Sequence, residues 1–189
     1  MPLALASSKE ILITAKSLIS HLVSNRFESE GKEWTDHNFS RLRSFFKAET
    51  EVSFYHRPRT GMTEESKEFM WDFLAIQSNG GILLAAESEQ AQRQSKGLEH
   101  DFEKLLYVFA PLRILISKAA TIEEAQQLAS SLGEYAKGCC LHFNPGSVFI
   151  LLFDLWGRDA GSVAYYWQSG GDPSKLELEE IRFDGPLLL

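Results

Sequence analysis

Cysteine is scarce in this chain, and the two present are adjacent, Cys139 and Cys140. Neighbouring cysteines rarely bridge each other, and two thiols cannot complete a four-ligand zinc site, so a disulfide scaffold and a cysteine zinc cluster are both excluded. They read as small buried residues after a helix. Long uncharged runs are also lacking. The apolar stretch PLALASSKEILITAKSLISHLV is broken by Lys9, Glu10 and Lys16, which gives the expectation of a cytoplasmic protein with no membrane span or leader. An excess of positive charge is missing as well. Lys and Arg number 19 against 26 Asp and Glu, a formal net charge of -7, which speaks against a dedicated nucleic-acid coat or membrane-surface binder. A nuclease stays open, because an enzyme needs only a local basic face. The histidines, His21, His37, His56, His100 and His142, show no HExxH or paired ligand spacing and read as surface or capping residues. No serine stands in a Gly-x-Ser-x-Gly elbow, and SNGG lacks the helix and lysine of a phosphate loop.

What the chain does have is enough apolar residue for a core, 44% of 189 residues, which fits one domain over 1–189. Ile11, Ala15, Leu18 and Leu22 recur at helical spacing and predict a helix over 8–24. SNRFESEGKEW reads as a polar loop. Thr35 or Asp36 then caps a helix over 36–48, with Phe39, Leu42, Phe45 and Phe46 on its apolar face. EVSFYHR is a short strand and PRTGMTEES a loop. EFMWDFLAIQ and ILLAAESE, joined by SNGG, form a hairpin of 69–77 with 82–89. Leu98, Phe102, Leu105, Leu106 and Phe109 predict a helix over 97–109 that Pro111 ends. LRILIS is a strand, and Thr121-x-x-Glu124 opens a helix that stops at Gly138. SVFILLFDLW and SVAYYWQ are strand-like, and the tail LELEEIRFDGPLLL alternates weakly, as an edge strand does. The order predicts an α/β (α+β) mixed sheet flanked by helices.

The hairpin also aligns acids. With Asn79 and Gly80 in the turn, Gln77 faces Ile82, and counting back sets Asp72 opposite Glu87. Opposed residues share one face, with Cβ atoms about 4.5–5.5 Å apart. Glu89, two residues on, lies on that face too. Three carboxylates so close repel unless a cation sits among them or one stays protonated. Carboxylate oxygens are the hard ligands that Mg²⁺ or Mn²⁺ prefers.

Helix–strand–strand–strand–helix–strand, with Asp72 on the second strand and Glu87-x-Glu89 on the third, resembles the PD-(D/E)XK nuclease superfamily. The element order covers about half the chain, residues 35–117, and the motif itself is three residues. The resemblance implies a restriction-endonuclease-like core over 35–117, a helical extension over 1–30, and a helix with further strands over 118–189 completing the sheet. It implies that Asp72, Glu87 and the backbone carbonyl of Ser88 hold Mg²⁺ or Mn²⁺, with Glu89 acting on water in the slot usually held by lysine. Trp71 stands where a proline often precedes the first acid. Lys104, on the following helix, is the candidate relocated lysine, although it lies nearly opposite the Leu98/Phe102/Leu105/Phe109 stripe, which points it away from the sheet.

Arg57 and Arg59 are candidates for positioning phosphate, and Tyr55 has no forced role. Arg41, Arg43 and Lys47 read as a solvated helix face, with phosphate positioning as the rival account. Three readings stand: a metal-dependent nuclease or phosphodiesterase, a non-catalytic member of the same fold acting as a binding or regulatory module, and an unrelated α+β interaction protein with surface acids. Nucleic acid is the expected partner of the first. A homo-oligomer is left open, no membrane partner is expected, and any protein partner is unknown.

Overall fold

A computed structural model describes residues 7–25, 31–47, 52–56, 71–89, 95–138, 146–156, 161–169 and 179–183. Helix α1 (Ser8–Ser24) is opened by a capping box: Glu10 N–H donates to Ser7 Oγ, and Ser7 N–H donates to Glu10 Oε2 at 2.7 Å. Its Ile11, Ala15, Leu18, Ile19 and Leu22 are buried. Helix α2 (Gly31–Phe45) starts well before the expected cap, so Thr35 and Asp36 lie inside it. Trp34 explains the extension. Its indole is almost fully buried against the sheet, which rewards helical geometry for the preceding turn.

The strands are β1 (Val52–His56), β2 (Phe73–Gln77), β3 (Ile82–Glu89), β4 (Leu112–Ala119), β5 (Val148–Leu155), β6 (Gly161–Gln168) and β7 (Glu179–Phe183). They form one seven-stranded sheet in sequence order. Pairing is antiparallel from β1 to β3, parallel for β3–β4 and β4–β5, and antiparallel again through β6 to the edge strand β7. The parallel pairs are possible because helices α3 (Ser95–Tyr107) and α4 (Ile122–Gly138) supply the crossovers. Thr121 caps α4, its Oγ1 accepting from Glu124 N–H at 3.2 Å, while the Glu124 carboxylate reaches back to Ala120 N–H at 2.6 Å.

The result is a mixed α/β layer structure. On one face Phe73, Ala75, Leu84, Ile114, Ile150 and Ala164 pack with α1 and α2, so α1 shares the core rather than standing outside it. On the other face Leu74, Ala85, Leu115, Phe149 and Trp167 pack with α3 and α4. Phe149 stacks on Trp167 at 4.7 Å between ring centres, against Phe102 of α3. Phe109 was expected on the buried stripe, but α3 ends before it and it is 77% exposed. Pro111 and the buried Val108 and Ala110 redirect the chain into β4, which turns Phe109 outward. Cys139, Cys140, His142, PRTGMTEES, Arg57 and Arg59 lie outside the described residues.

The hairpin turn departs from expectation in an instructive way. Gln77 N–H donates to Gly81 O and Gly80 N–H to Gln77 O, each at 2.9 Å, so Gln77 faces Gly81 rather than Ile82. The loop is Ser78–Asn79–Gly80, and Gly80 takes φ +83° as a three-residue hairpin loop requires. Ile76 then pairs with Ile82, and a bulge leaves Leu83 unopposed before Ala75↔Leu84, Leu74↔Ala85 and Phe73↔Ala86. The two shifts cancel. Beyond the bulge the ladder points Asp72 at Glu87.

Candidate acid–lysine site

Asp72 occupies a bend one residue before β2 and is 9% exposed. Its Oδ2 accepts a hydrogen bond from Ser88 N–H at 3.2 Å, so the side chain leans across the end of the hairpin onto β3. Glu87 follows the apolar run Ile82–Ala86 and is 0% exposed. That run anchors the strand in both cores and carries the acid with it, since a strand has no freedom to turn a single side chain back to water.

Lys104 of α3 meets Glu87, with Nζ 3.0 Å from Oε1 and 2.7 Å from Asp101 Oδ1. The outward position inferred from the helical stripe is therefore corrected. Lys104 lies on the flank of α3 that faces the lead-in to β2, where Trp71 donates its indole N–H to Lys104 O at 3.1 Å. A four-carbon stem can cross from such a flank to a strand while its charged head stays partly wet. The indole thus ties the residue before Asp72 to the backbone of Lys104.

Electrostatics at Glu87 are unusual. Burial and the neighbouring Asp72 charge push its carboxyl up to about 9, against the opposing pull of Lys104. Neither Glu87 oxygen accepts a well-aligned hydrogen bond among the described residues, so the Lys104 contact is an ion-pair approach rather than a full satisfaction. Burial lowers the Lys104 pKa, but Asp101 and Glu87 outweigh it and leave it raised. On the same sheet face, Arg113 stands opposite Ala85 and is fully buried, which brings its pKa down to about 10.

The three-acid convergence inferred from the register is not what the structure holds. Glu89 shares the face, but its carboxylate lies at the first turn of α3, with Oε1 3.7 Å from where a Cβ on Gly97 would sit. Among the described residues no three His, Cys, Asp or Glu side chains stand close enough together to hold a metal ion. What the fold gathers is Asp72, Glu87, Asp101 and Lys104. Ser88 turns its hydroxyl to the opposite face, where it accepts from Asn38 Nδ2 at 3.0 Å, so only its backbone lies at the acid pair. Tyr55 is half-exposed on the edge strand, opposite Leu74.

Sequence reasoning missed Asp101, whose i,i+3 spacing to Lys104 was a readable signal. It also missed a second polar group on the α2 face. Arg41, expected on a solvated helix face, is 3% exposed. It donates to Leu22 O at 2.5 Å and to Asn38 Oδ1, and lies 3.5 Å from Asp154 Oδ2. Asp154 also accepts from Trp34 Nε1 at 3.0 Å and Ser162 Oγ at 2.9 Å. The signal was an acid inside the apolar run FILLFDLW.

Among the described residues no helix is long and apolar enough to cross a membrane. In comparisons with known proteins, no family model and no curated protein matches the chain.

Proposed function

We propose that the chain is a divergent restriction-endonuclease-like domain of the PD-(D/E)XK type that hydrolyses nucleic-acid phosphodiester bonds with Mg²⁺ or Mn²⁺. The observation that carries this reading is the contact of Lys104 with Glu87 beside Asp72: two acids from a hairpin and a lysine from the following helix, at the carboxyl end of a strand that pairs in parallel with its neighbour. The strand order β1-β2-β3-β4 with a helix between the last two agrees with that fold.

The residues fit a divalent cation in one respect that the protein itself displays. A buried carboxylate beside a second carboxylate, raised to about 9 and lacking aligned donors, is a site that a hard cation would satisfy. Asp72 and Glu87 would hold it, and when bound it supplies Lewis-acid polarisation of the phosphate and a more acidic water. Asp101 keeps Lys104 charged and aimed at Glu87. Lys104 then offers a fixed positive charge where negative charge builds on a phosphoryl group, a role suited to a positioned cation in a half-dry site. Glu89, at the first turn of α3, is left as the residue that orients water from the rim.

A second reading, the non-catalytic binding module, draws on the separation of Glu89 from the acid pair. Cleavage of single- and double-stranded DNA and RNA with Mg²⁺ or Mn²⁺ separates the two. The nuclease reading expects cleavage by the wild type and by Glu89→Lys, and its loss in Glu87→Gln. Inert wild type and inert Glu89→Lys on every substrate, with nucleic-acid binding retained, would establish the module instead.

A further inference from the structure

At the carbonyl end of α2 a depression of about 420 Å³ opens beside the edge strand β1, lined by Ser40, Arg43, Ser44, Phe46, Lys47, Val52 and Phe54. It lies away from the acid pair. Val52 is paired with Gln77 at the turn end of the hairpin, and Phe54 packs with Phe73 on the α2 face, whereas Asp72 and Glu87 are at the other end on the other face. Two cations four residues apart share this space in a protein whose net charge is -7. Neighbouring like charges at that spacing repel mildly on a helix. Among the described residues neither Arg43 nor Lys47 forms an ion pair, and Arg43 Nε is buried without a hydrogen-bond partner.

The negative end of the helix dipole accounts for the presence of cations there, in the last turn of α2 and just beyond. It does not account for an open depression with an apolar wall. Half-buried Val52 and Phe54 offer that wall to a flat apolar body, and the volume falls in the range of small-molecule sites. The serines add little donor capacity, because Ser40 Oγ donates to Asp36 O at 2.9 Å and Ser44 Oγ to Arg41 O at 2.8 Å. Recognition therefore falls to the guanidinium and the ammonium, together two positive charges. A phosphate monoester carries about −1.5 to −2 charge at neutral pH and three acceptor oxygens, which matches that pair better than a singly charged diester does.

We infer that this depression is a binding site for a terminal phosphate monoester carried on a nucleoside, with Arg43 and Lys47 on the phosphate and Phe54 against the base. The ligand is either a free nucleoside monophosphate or the phosphorylated end of a nucleic-acid strand. The site is independent of the hydrolytic reading, since it shares no residue with it.

Calorimetric titration of the full chain with adenosine monophosphate, adenosine, and a short oligonucleotide with and without a 5′-phosphate tests the inference. Saturable binding of the phosphorylated ligands is expected, weakened by about tenfold or more in Arg43→Gln and in Lys47→Gln, as loss of one charge-assisted contact implies, and absent for adenosine. Tighter binding of the phosphorylated strand than of the mononucleotide would identify the strand end as the ligand; equal or weaker binding would identify the free nucleotide. The melting temperature of Lys47→Gln should match wild type, as that side chain is exposed. No binding of either phosphorylated ligand at millimolar concentration, equal binding of the unphosphorylated strand, or binding that Arg43→Gln and Lys47→Gln leave unchanged would overturn the site.

Discussion

Strand β3 separates two buried polar groups that treat charge in opposite ways. On the α2 side, Asp154 has Ser162 on one oxygen and Trp34 and Arg41 on the other, and Asn38 links Arg41 to Ser88. On the α3 side, Glu87 has one cation at an imperfect angle and a second acid beside it. Ser88 and Glu87 are adjacent residues, yet one joins a network whose buried acid, Asp154, is hydrogen-bonded on both oxygens, and the other is a buried acid with no aligned donor on either. A buried acid hydrogen-bonded on both oxygens holds structure, because its partners are costly to lose. The proposed metal site rests on the other kind, an unsatisfied buried acid with a raised pKa.

The contrast can be broken most severely at Asp154. Asp154→Ala leaves Arg41 buried beside an empty acceptor site and should cost about 3–5 kcal/mol of stability, read by urea denaturation at pH 7. A cost below about 1 kcal/mol would mean the network is not what secures α2.

Glu87→Gln should act in the opposite direction. The folded pKa, about 9, stands above the ordinary 4.5, so between those values the folded state holds a proton that the unfolded chain has released. Stability of the metal-free protein therefore falls as pH rises through that window. Glu87→Gln removes the titration, so its stability should exceed wild type by roughly 1–3 kcal/mol at pH 8 and converge with it near pH 4.5. A wild-type stability that does not fall between pH 5 and pH 8 would contradict the raised pKa.

Asn38→Ala comes next, at about 1–2 kcal/mol for the Arg41 and Ser88 contacts, with the Glu87 titration unmoved. The smallest effect belongs to Lys104→Ala. At neutral pH Glu87 holds its proton, so the partly exposed Lys104 contact is worth below about 1 kcal/mol, but its loss should raise the Glu87 pKa further, a shift that carboxyl-carbon NMR reads directly.

Much of this contrast could be read from residues in order, and the unread part has physical causes. Element types follow from local periodicity: α1, α4 and the hairpin strands come from spacing, capping and turn residues that act within a few positions. The facing of Asp72 and Glu87 was also derivable, although the turn that was assumed is wrong at both Gln77 and Leu83; two one-residue errors cancelled at the bulge. Lys104 and Arg41 were misplaced for a shared reason. A helical wheel gives the angle of a Cα, whereas long side chains bridge from a helix flank to partners on strands that are remote in sequence. Asp154 meets Trp34 across 120 residues, which no local pattern encodes. Glu89 was placed with the acids by strand alternation, but alternation fixes a face and not where a flexible carboxylate ends.

Calorimetric titration with Mn²⁺ of wild type, Glu87→Gln and Ser162→Ala tests the account most directly, because it sets the two sides of β3 against each other. Wild type and Ser162→Ala should bind the ion alike, whereas Glu87→Gln, with its fold intact, should lose it. Binding that Glu87→Gln leaves unchanged, or no binding by the wild type, would contradict the proposal that Asp72, Glu87 and Lys104 form a metal-dependent hydrolytic site.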